Sequence, residues 1–597
     1  MPSQRQPRAA NPQPYAVTIE KTGNTALDNA IQGSSTLISL AQKAPVGPFA
    51  LVTRAQEDAS RFETALHSFG YYKGQAQIRI AGLPLDDPHL VDQLEQAPAQ
   101  PPVRVVVHVD PGPLFHIRKI MLQGAVPSGA EAKLQLSPGD PAVASNVLAA
   151  GARLLAALRD MGYALAKVGD PVATLVPSEN ALDVAFNVDP GPRVDLGRIT
   201  IKGLKDVNES FVRRWLLVHQ GELYNPAQLE KARQDLASLG VFSVVRLRTP
   251  DQVDAQGQLP VEFDVTEGPK HVVSFSIAYS TDLGFTTSAK WQDRNLFGNA
   301  EQLSLSAGFQ GGGTAVVSPG YNLTGQFIKP DFLARDQSLQ FDASALKQNL
   351  IAYDQTAVLG DVLLNRKLSD HWSGSIGIAA EWERIFQVYY TRYYTLVQFP
   401  VTAKFDNTNS VLDPTDGLRV NASVAPTQSF GHTSATFLLT QVTSSTYLDL
   451  SSLWGAKGRT VIALRGTVGD AAGATQFALP PDKRFYAGGS ATVRGYRYQS
   501  IGPQFYPGRP EGGTALAAGT VEYRQRILSN YGFAAFVDAG AVPANGPPFA
   551  GAWRIGAGLG GRYYTPIGPI RVDVAFPLTP IHGSDAFELY IGIGQAF

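Results

Sequence analysis

The sequence contains no cysteine. Disulfide staples, thiolate nucleophiles and Cys-ligated zinc are therefore excluded outright, and the lack suits a chain that crosses an oxidising space unfolded. No run approaches the ~20 apolar residues that a membrane helix needs. The opening MPSQRQPRAANPQP lacks the apolar core of a secretory signal, so either an export signal has been removed or the protein is not exported. Residues 1–14 are expected to be a flexible lead-in. An excess of one charge is also missing: Lys plus Arg number 50 and Asp plus Glu 51, which argues against a nucleic-acid binder held by a broad basic field. Charged residues make up 17%, against roughly 25% in a typical soluble domain. Neither a G-x-S-x-G elbow nor a Walker loop occurs, and the nine histidines form no H-E-x-x-H. No enzyme is expected, and no cofactor or metal.

Repetition is present instead. VDPGPLF at Val109–Phe115 returns as VDPGPRV at Val188–Val194 and, loosely, as VTEGPKH at Val265–His271. A spacing of roughly 80 residues suits one small domain. Each unit holds a helix predicted to stop at a glycine: Gly70, Gly162 and Gly240. In the third, Asn225 can cap, Pro226 fits the first turn, and Leu229, Ala232, Leu236 and Leu239 recur with helical period. Strands are predicted at Arg198–Gly203, Phe242–Arg248 and Leu259–Thr266. Each unit reads β-α-α-β-β, a small sheet covered on one side by helices, with edge strands free to receive an extended peptide. The expected bounds are 15–110, 111–190 and 191–269. At the boundaries Pro111, Gly112, Pro113, Pro190, Gly191 and Pro192 read as stiff turns that set domain angles.

Past residue 270 the helical period stops. Segments about ten residues long alternate to the last residue, Phe597. Ile570, Val572, Val574 and Phe576 oppose Arg571, Asp573 and Ala575; Leu418, Val420, Ala422 and Val424 oppose Arg419, Asn421 and Ser423. A soluble sandwich also alternates. The segment length, however, matches the 9–11 residues that cross a bilayer at a tilt. Tyr389, Tyr390, Tyr393, Tyr394, Tyr563 and Tyr564 cluster near segment ends, where an interfacial girdle sits. Backbone groups in hydrocarbon must all be paired, so strands span only as a closed barrel. About sixteen segments fit in 270–597, which predicts an all-β transmembrane barrel of about 16 antiparallel strands.

Several stretches resemble the BamA/TamA-like outer-membrane assembly family, barrels preceded by POTRA domains. RFYAGGSATVRGYRYQSIGP (Arg484–Pro503) resembles the family's signature in its sixth extracellular loop, centred on Val493, Arg494, Gly495 and Tyr496. FDNTNSVLDPTDG (Phe405–Gly417), DRNLFGN (Asp293–Asn299), VDAG (Val537–Gly540) and GAGLGGRYYTPIGPIRVDVAFPL (Gly556–Leu578) resemble further family motifs, in family order. The repeats match POTRA domains in size and pattern, and three of them favour the TamA branch. Gln595 departs from the pattern, standing where a second aromatic or apolar residue is often found. Asp293 and Asn295 read as turn formers rather than ligands.

The resemblance implies that the loop at about 470–512 folds into the lumen and that Arg494 meets acidic residues on the wall. Alternation makes Glu522 and Asp538 lumenal, and an Arg fork can bridge two carboxylates. Whether this is only a brace or has a dynamic role stays open here. The second candidate is the seam between the first strand, about His271–Tyr279 with Val273, Phe275 and Ile277, and the last, about Phe587–Phe597 with Tyr590, Gly592 and Gly594. Glycine weakens a strand, so the seam could open to a client strand; equally, these glycines could just fit a crowded lumenal face. By resemblance the function is assembly or translocation of β-barrel clients of the autotransporter type. The implied partners are the outer-membrane bilayer, client polypeptides and a TamB-like envelope-spanning protein contacted through the POTRA units, which lie in the periplasm. The alternatives are a passive conduit, either a two-partner-type secretion pore or an intermembrane lipid channel, and a soluble adhesive β-protein.

Overall fold

The computed structural model describes residues 12–98, 100–280, 284–311, 319–451, 455–566, 568–581 and 584–597. They form two compact units. One contains the first two repeats and parts of the third; the other contains the rest of the third and everything from Val265 onward. Most of the expected lead-in, residues 1–11, lies outside the described residues. Residues 13 and 14 are not loose: the Gln13 N–H donates to the Val46 carbonyl at 2.8 Å, and the Pro14 carbonyl accepts from the Val103 N–H at 2.9 Å.

Strand alternation and helical stripes build each small domain. In the first, Val103, Val105, Val107 and Val109 point inward from Val103–Asp110 and meet Leu51, Ala55, Phe62 and Leu66 of the long helix Pro48–Ser68. The strand Tyr15–Ile19 pairs parallel with Val103–Asp110. This domain is larger than β-α-α-β-β: it adds the short strand Leu83–Pro84 and the helix Leu90–Gln96. The second domain has a single 3-10 turn, Glu131–Lys133, where a first helix was expected. Pro127, Gly129, Pro138 and Gly139 crowd that stretch and leave no room for a longer helix. The third keeps the expected order, with strands Leu196–Lys202, Phe242–Arg248 and Leu259–Glu267 and helices Glu209–Trp215 and Pro226–Ser238. The Asn225 side chain accepts from the N–H groups of Ala227 and Gln228 at 3.0 and 3.2 Å, as a helix cap does.

The repeated Asp-Pro-Gly-Pro stretches are side-chain-stapled turns. Asp110 and Asp189 accept from the N–H groups of Gly112 and Gly191 at 3.1 and 3.2 Å. The helix-ending glycines also carry the chain onward, since the Gly70 carbonyl accepts from the Phe115 N–H and the Gly162 carbonyl from the Val194 N–H.

From His271 the chain closes into an antiparallel barrel. It has sixteen strands once Tyr390–Gln398 and Val401–Asp406 are read as one strand: both pair with the same two neighbours, Trp372–Gln387 and Gly417–Gly431. The break falls at Phe399–Pro400, where proline has no N–H to give the ladder. Several strands exceed the expected ten residues; Trp372–Gln387 has 16. The outer face is apolar, with Phe275, Leu305, Leu323, Ile376, Val521 and Leu559 exposed. Tyr389, Tyr390 and Tyr393 are exposed beside Trp382 at one end, and Tyr531 pairs with Tyr563 at the other. Tyr394 departs from the girdle reading. It is 1% exposed and packs inward with Tyr353, Leu396 and Leu479, because alternation sets it opposite in face to Tyr393. No described helix is long and apolar enough to cross a membrane.

Candidate functional site

The loop between strands Thr460–Ala472 and Ala515–Arg526 folds into the barrel, where its buried residues join two apolar clusters. Its centre is Arg494, 2% exposed. Arg494 Nε and Nη2 donate to the two oxygens of Asp538 at 2.8 and 3.0 Å, and its backbone N–H donates to the same carboxylate at 2.9 Å. Nη1 donates to Glu522 at 2.8 Å and reaches Asp573 at 3.4 Å. The guanidinium lies 3.4 Å from the centroid of the Phe536 ring, so charge, fork geometry and a flat face are all used.

The carboxylates are shared further. Glu522 also receives Arg524 at 2.8 Å, and Asp573 receives Arg562 at 2.5 Å. Glu522, Asp538 and Asp573 are essentially unexposed. A buried charge survives only when paired and hydrogen-bonded, and this lattice of arginines and carboxylates meets that condition. The loop ties to three wall strands through one side chain.

The neighbours of Arg494 complete the seat. Val493 is fully buried. The Tyr496 hydroxyl donates to the Ile555 carbonyl at 2.9 Å and lies 2.9 Å from the Thr579 hydroxyl. Gly495 has φ +92°, and a Cβ there would come 2.8 Å from the Phe576 carbonyl carbon; its N–H donates to the Tyr590 hydroxyl at 3.2 Å. On the wall a Cβ at Gly556 would fall 2.0 Å from the Arg494 carbonyl oxygen. Gly556–Gly561 spells G-x-G-x-x-G, yet it lies inside the strand Arg554–Thr565 rather than at a strand-to-helix turn, and of its glycines Gly556 is the one that meets the loop. Alternation sets Asp573 opposite in face to Ile570 and Val572 but gives it no role. Phe536, Arg562 and the wall glycines had no signal beyond alternation.

At the seam the expected last strand, Phe587–Phe597, is shorter: it runs Glu588–Ile593. Gly594, at φ +88°, turns the chain inward, and the Gln595 N–H donates to the Leu412 carbonyl at 2.9 Å. Phe597 then stacks on Tyr447 near Arg465 and Arg524. Gln595 bonds Asp413 and Arg562, both at 2.9 Å, which is what a polar residue does there. Among the described residues the first and last strands share two register pairs, Tyr279 with Ile591 and Ser280 with Tyr590. The first and second strands share ten. Val273, Phe275 and Ile277 pair with Trp291, Ala289 and Thr287 on the second strand and are exposed. Gly592 pairs with Arg571, and Gly594 lies past the strand. Of the seam residues named from sequence, only Tyr590 sits in the closing ladder.

Asp293 accepts from the Asn295 N–H at 2.9 Å, and Asn295 accepts from the Ala300 N–H at 2.9 Å, so both shape the turn.

Comparison with known proteins fits this geometry. The Omp85 superfamily domain matches residues 295–597, and the POTRA model, described as a surface antigen variable number repeat, matches 194–268. The chain belongs to the Omp85 superfamily. The outer membrane protein assembly factor BamA of Neisseria meningitidis is 22% identical over 571 residues, covering 83% of this chain and 68% of that one. BamA of Neorickettsia risticii is 25% identical over 240 residues, covering 39% of this chain and 31% of its own length. The chain thus spans about a third to two thirds of these relatives. A crystal structure of BamA from Haemophilus ducreyi lacking POTRA domains 1–3 aligns with a TM-score of 0.65 at 18% identity, covering 81% of this chain and all of that one. This Omp85 protein is an outer-membrane barrel with periplasmic POTRA domains.

Proposed function

We propose that this Omp85 protein assembles client β-barrel polypeptides of the autotransporter type into the outer membrane by exchanging strands at its seam. The observation that carries the reading is that, among the described residues, the closure has two register pairs beside a ten-pair neighbour. Continued in register, the ladder would set Phe275 opposite Gln595 and Val273 opposite Phe597; the tail turns away, leaving much of the first strand as an edge. An unpaired edge beside lipid is costly, and an incoming strand would satisfy it. The name carried by the BamA relatives supports the same class of activity. In the small domains the edge strands Tyr15–Ile19 and Phe242–Arg248 offer backbone groups to extended clients. We assign the chain to the TamA branch on its three repeats, with a TamB-like envelope-spanning protein as the POTRA partner. The conduit reading is weaker, because the lumen is packed by the loop.

Tyr279 and Ile591 face each other across the seam, and the natural chain has no cysteine to interfere. Oxidising a Tyr279→Cys, Ile591→Cys pair is expected to stop insertion of an autotransporter client into vesicles, with recovery on reduction. Full insertion by the locked barrel would rule the seam out.

A further inference from the structure

The first strand leaves the periplasmic domains at His271, so odd-numbered strands of the barrel end on the outer side of the membrane. The thirteenth, Tyr531–Ala541, therefore delivers the chain to that side, and the fourteenth, Arg554–Thr565, brings it back. A cavity of about 640 Å³ lies among the connection between them, Gly502–Gln504 of the lumenal loop, and Pro580 with Ile581. Its walls are stiff. Pro503, Pro543 and Pro580 each fix their own backbone φ, and Gly551 runs so close to the facing chain that a Cβ there would come 2.8 Å from the Pro543 nitrogen. Val542 and Ile581 add apolar surface.

The charge in this cavity is unbalanced. No acidic side chain lines it, and Arg554, half-buried, has no hydrogen-bond or ion-pair partner among the described residues. Asn545 is committed on one side only: its Oδ1 accepts from the Gln476 N–H at 2.9 Å, which leaves Nδ2 free to donate. Gln504 is used at both ends, donating to the Ser500 carbonyl and accepting from the Gly508 N–H, each at 3.2 Å. A guanidinium without a counter-charge and a spare amide donor on one cavity select an anionic group. An inorganic anion alone would leave most of the volume and the apolar wall unused. Phe549 and Trp553, exposed and stacked at 6.4 Å, flank the lining residues Ala550, Gly551 and Ala552. Proline edges and flat rings suit the C–H faces of a sugar, and the volume lies in the range of small-ligand sites.

We propose that this outward-facing cavity binds an anionic saccharide, with Arg554 and the Asn545 amide on its charged group and Val542, Ile581 and the prolines against its ring. Such a group can come from a glycolipid of the surrounding leaflet or from a free oligosaccharide outside the cell. The site is separate from the seam and holds whether or not the seam exchanges strands with clients.

The test titrates the full chain in detergent micelles with N-acetylglucosamine 1-phosphate by calorimetry. Saturable binding is expected, and N-acetylglucosamine or inorganic phosphate alone should each bind roughly tenfold more weakly or worse. Arg554→Gln removes a charge that no described residue uses, so the barrel should still run folded on unheated gels while affinity falls about tenfold or more. Asn545→Asp keeps the oxygen that Gln476 needs and puts a negative charge where the spare donor was; it should abolish binding without unfolding. Repeating the titration in nanodiscs separates the two sources. A site blocked by lipopolysaccharide in the disc, but open in phospholipid alone, belongs to the membrane's own glycolipid; a site open in both takes a free saccharide. Absence of saturable binding, equal affinity for inorganic phosphate, or unchanged affinity in Arg554→Gln would overturn the proposal.

Discussion

Arg494 shows how much one side chain can be asked to hold. Four hydrogen bonds from its guanidinium and one from its backbone N–H reach Asp538, Glu522 and Asp573. Breaking a buried pair from one side costs about 3–5 kcal/mol, because the partner charge is stranded. Arg494→Ala is therefore expected to loosen the loop, read as faster protease cleavage within 473–514 and a lower heat-modification temperature on gels. Arg494→Lys should recover only part of the loss, since an ammonium cannot fork onto Asp538. Gly556→Ala makes the complementary case from the wall, because its methyl would occupy the position of the Arg494 carbonyl. It should release the loop although no charge changes. In the first small domain Asp58 makes a pH prediction. Burial alone would raise its carboxyl, but bonds from Thr36, Leu37 and Ser35 outweigh that and hold it below the usual range. A depressed carboxyl gives stability that is complete above about pH 4 and is lost as pH falls through its folded value. Pulse proteolysis of the full chain should thus show the wild-type advantage over Asp58→Asn shrinking as the pH is lowered below 4.

At this scale the sequence was readable where charge and alternation coincide. Glu522 and Asp538 are lumenal because Val521 and Val537 are not, and that parity survives folding. Phe536 and Gly556 could not be read, since a phenylalanine under a guanidinium and a glycine under a carbonyl look like any others in a strand. Only the three-dimensional approach of the loop gives them meaning.

Among elements, the last strand taught most. Alternation continues through Gly592 and Gly594, so the sequence predicts pairing to the end. Local periodicity carries no record of Gly594 turning or of Tyr447 and Arg524 waiting for Phe597. Gly594→Val is expected to disfavour the turn, since a β-branched residue resists φ near +88°. The tail should then lengthen the closing ladder. A Phe275→Cys, Gln595→Cys pair would report this, oxidising readily only when Gly594 is also replaced. If the pair forms equally fast with Gly594 present, the inward tail does not persist in solution. The small domains were legible in type and less so in detail. Their β-α-α-β-β frame follows from periodicity and glycine stops, whereas the extra hairpin of the first and the shrunken helix of the second depend on turns that periodicity does not weigh.

For the molecule as a whole, the barrel could be read because lipid imposes one rule on every strand: apolar outside, anything that packs or hydrates inside. The count of sixteen holds once proline's missing donor is recognised as a break within a strand. The apolar outer face predicts that alkaline carbonate and urea leave the protein in the membrane fraction, whereas high salt or urea would extract a soluble adhesin. Release into the supernatant by urea would contradict the barrel's exterior.

The hydrogen bond from Gly495 to Tyr590 joins the loop's tip to the strand that closes the ring. Two equilibria that share such a bond are thermodynamically linked, and linkage is reciprocal. A ligand that pries the join apart must weaken the tip's anchorage by the same factor that a loosened tip eases the prying. Tyr590→Phe should shrink that factor towards one while leaving both resting states in place.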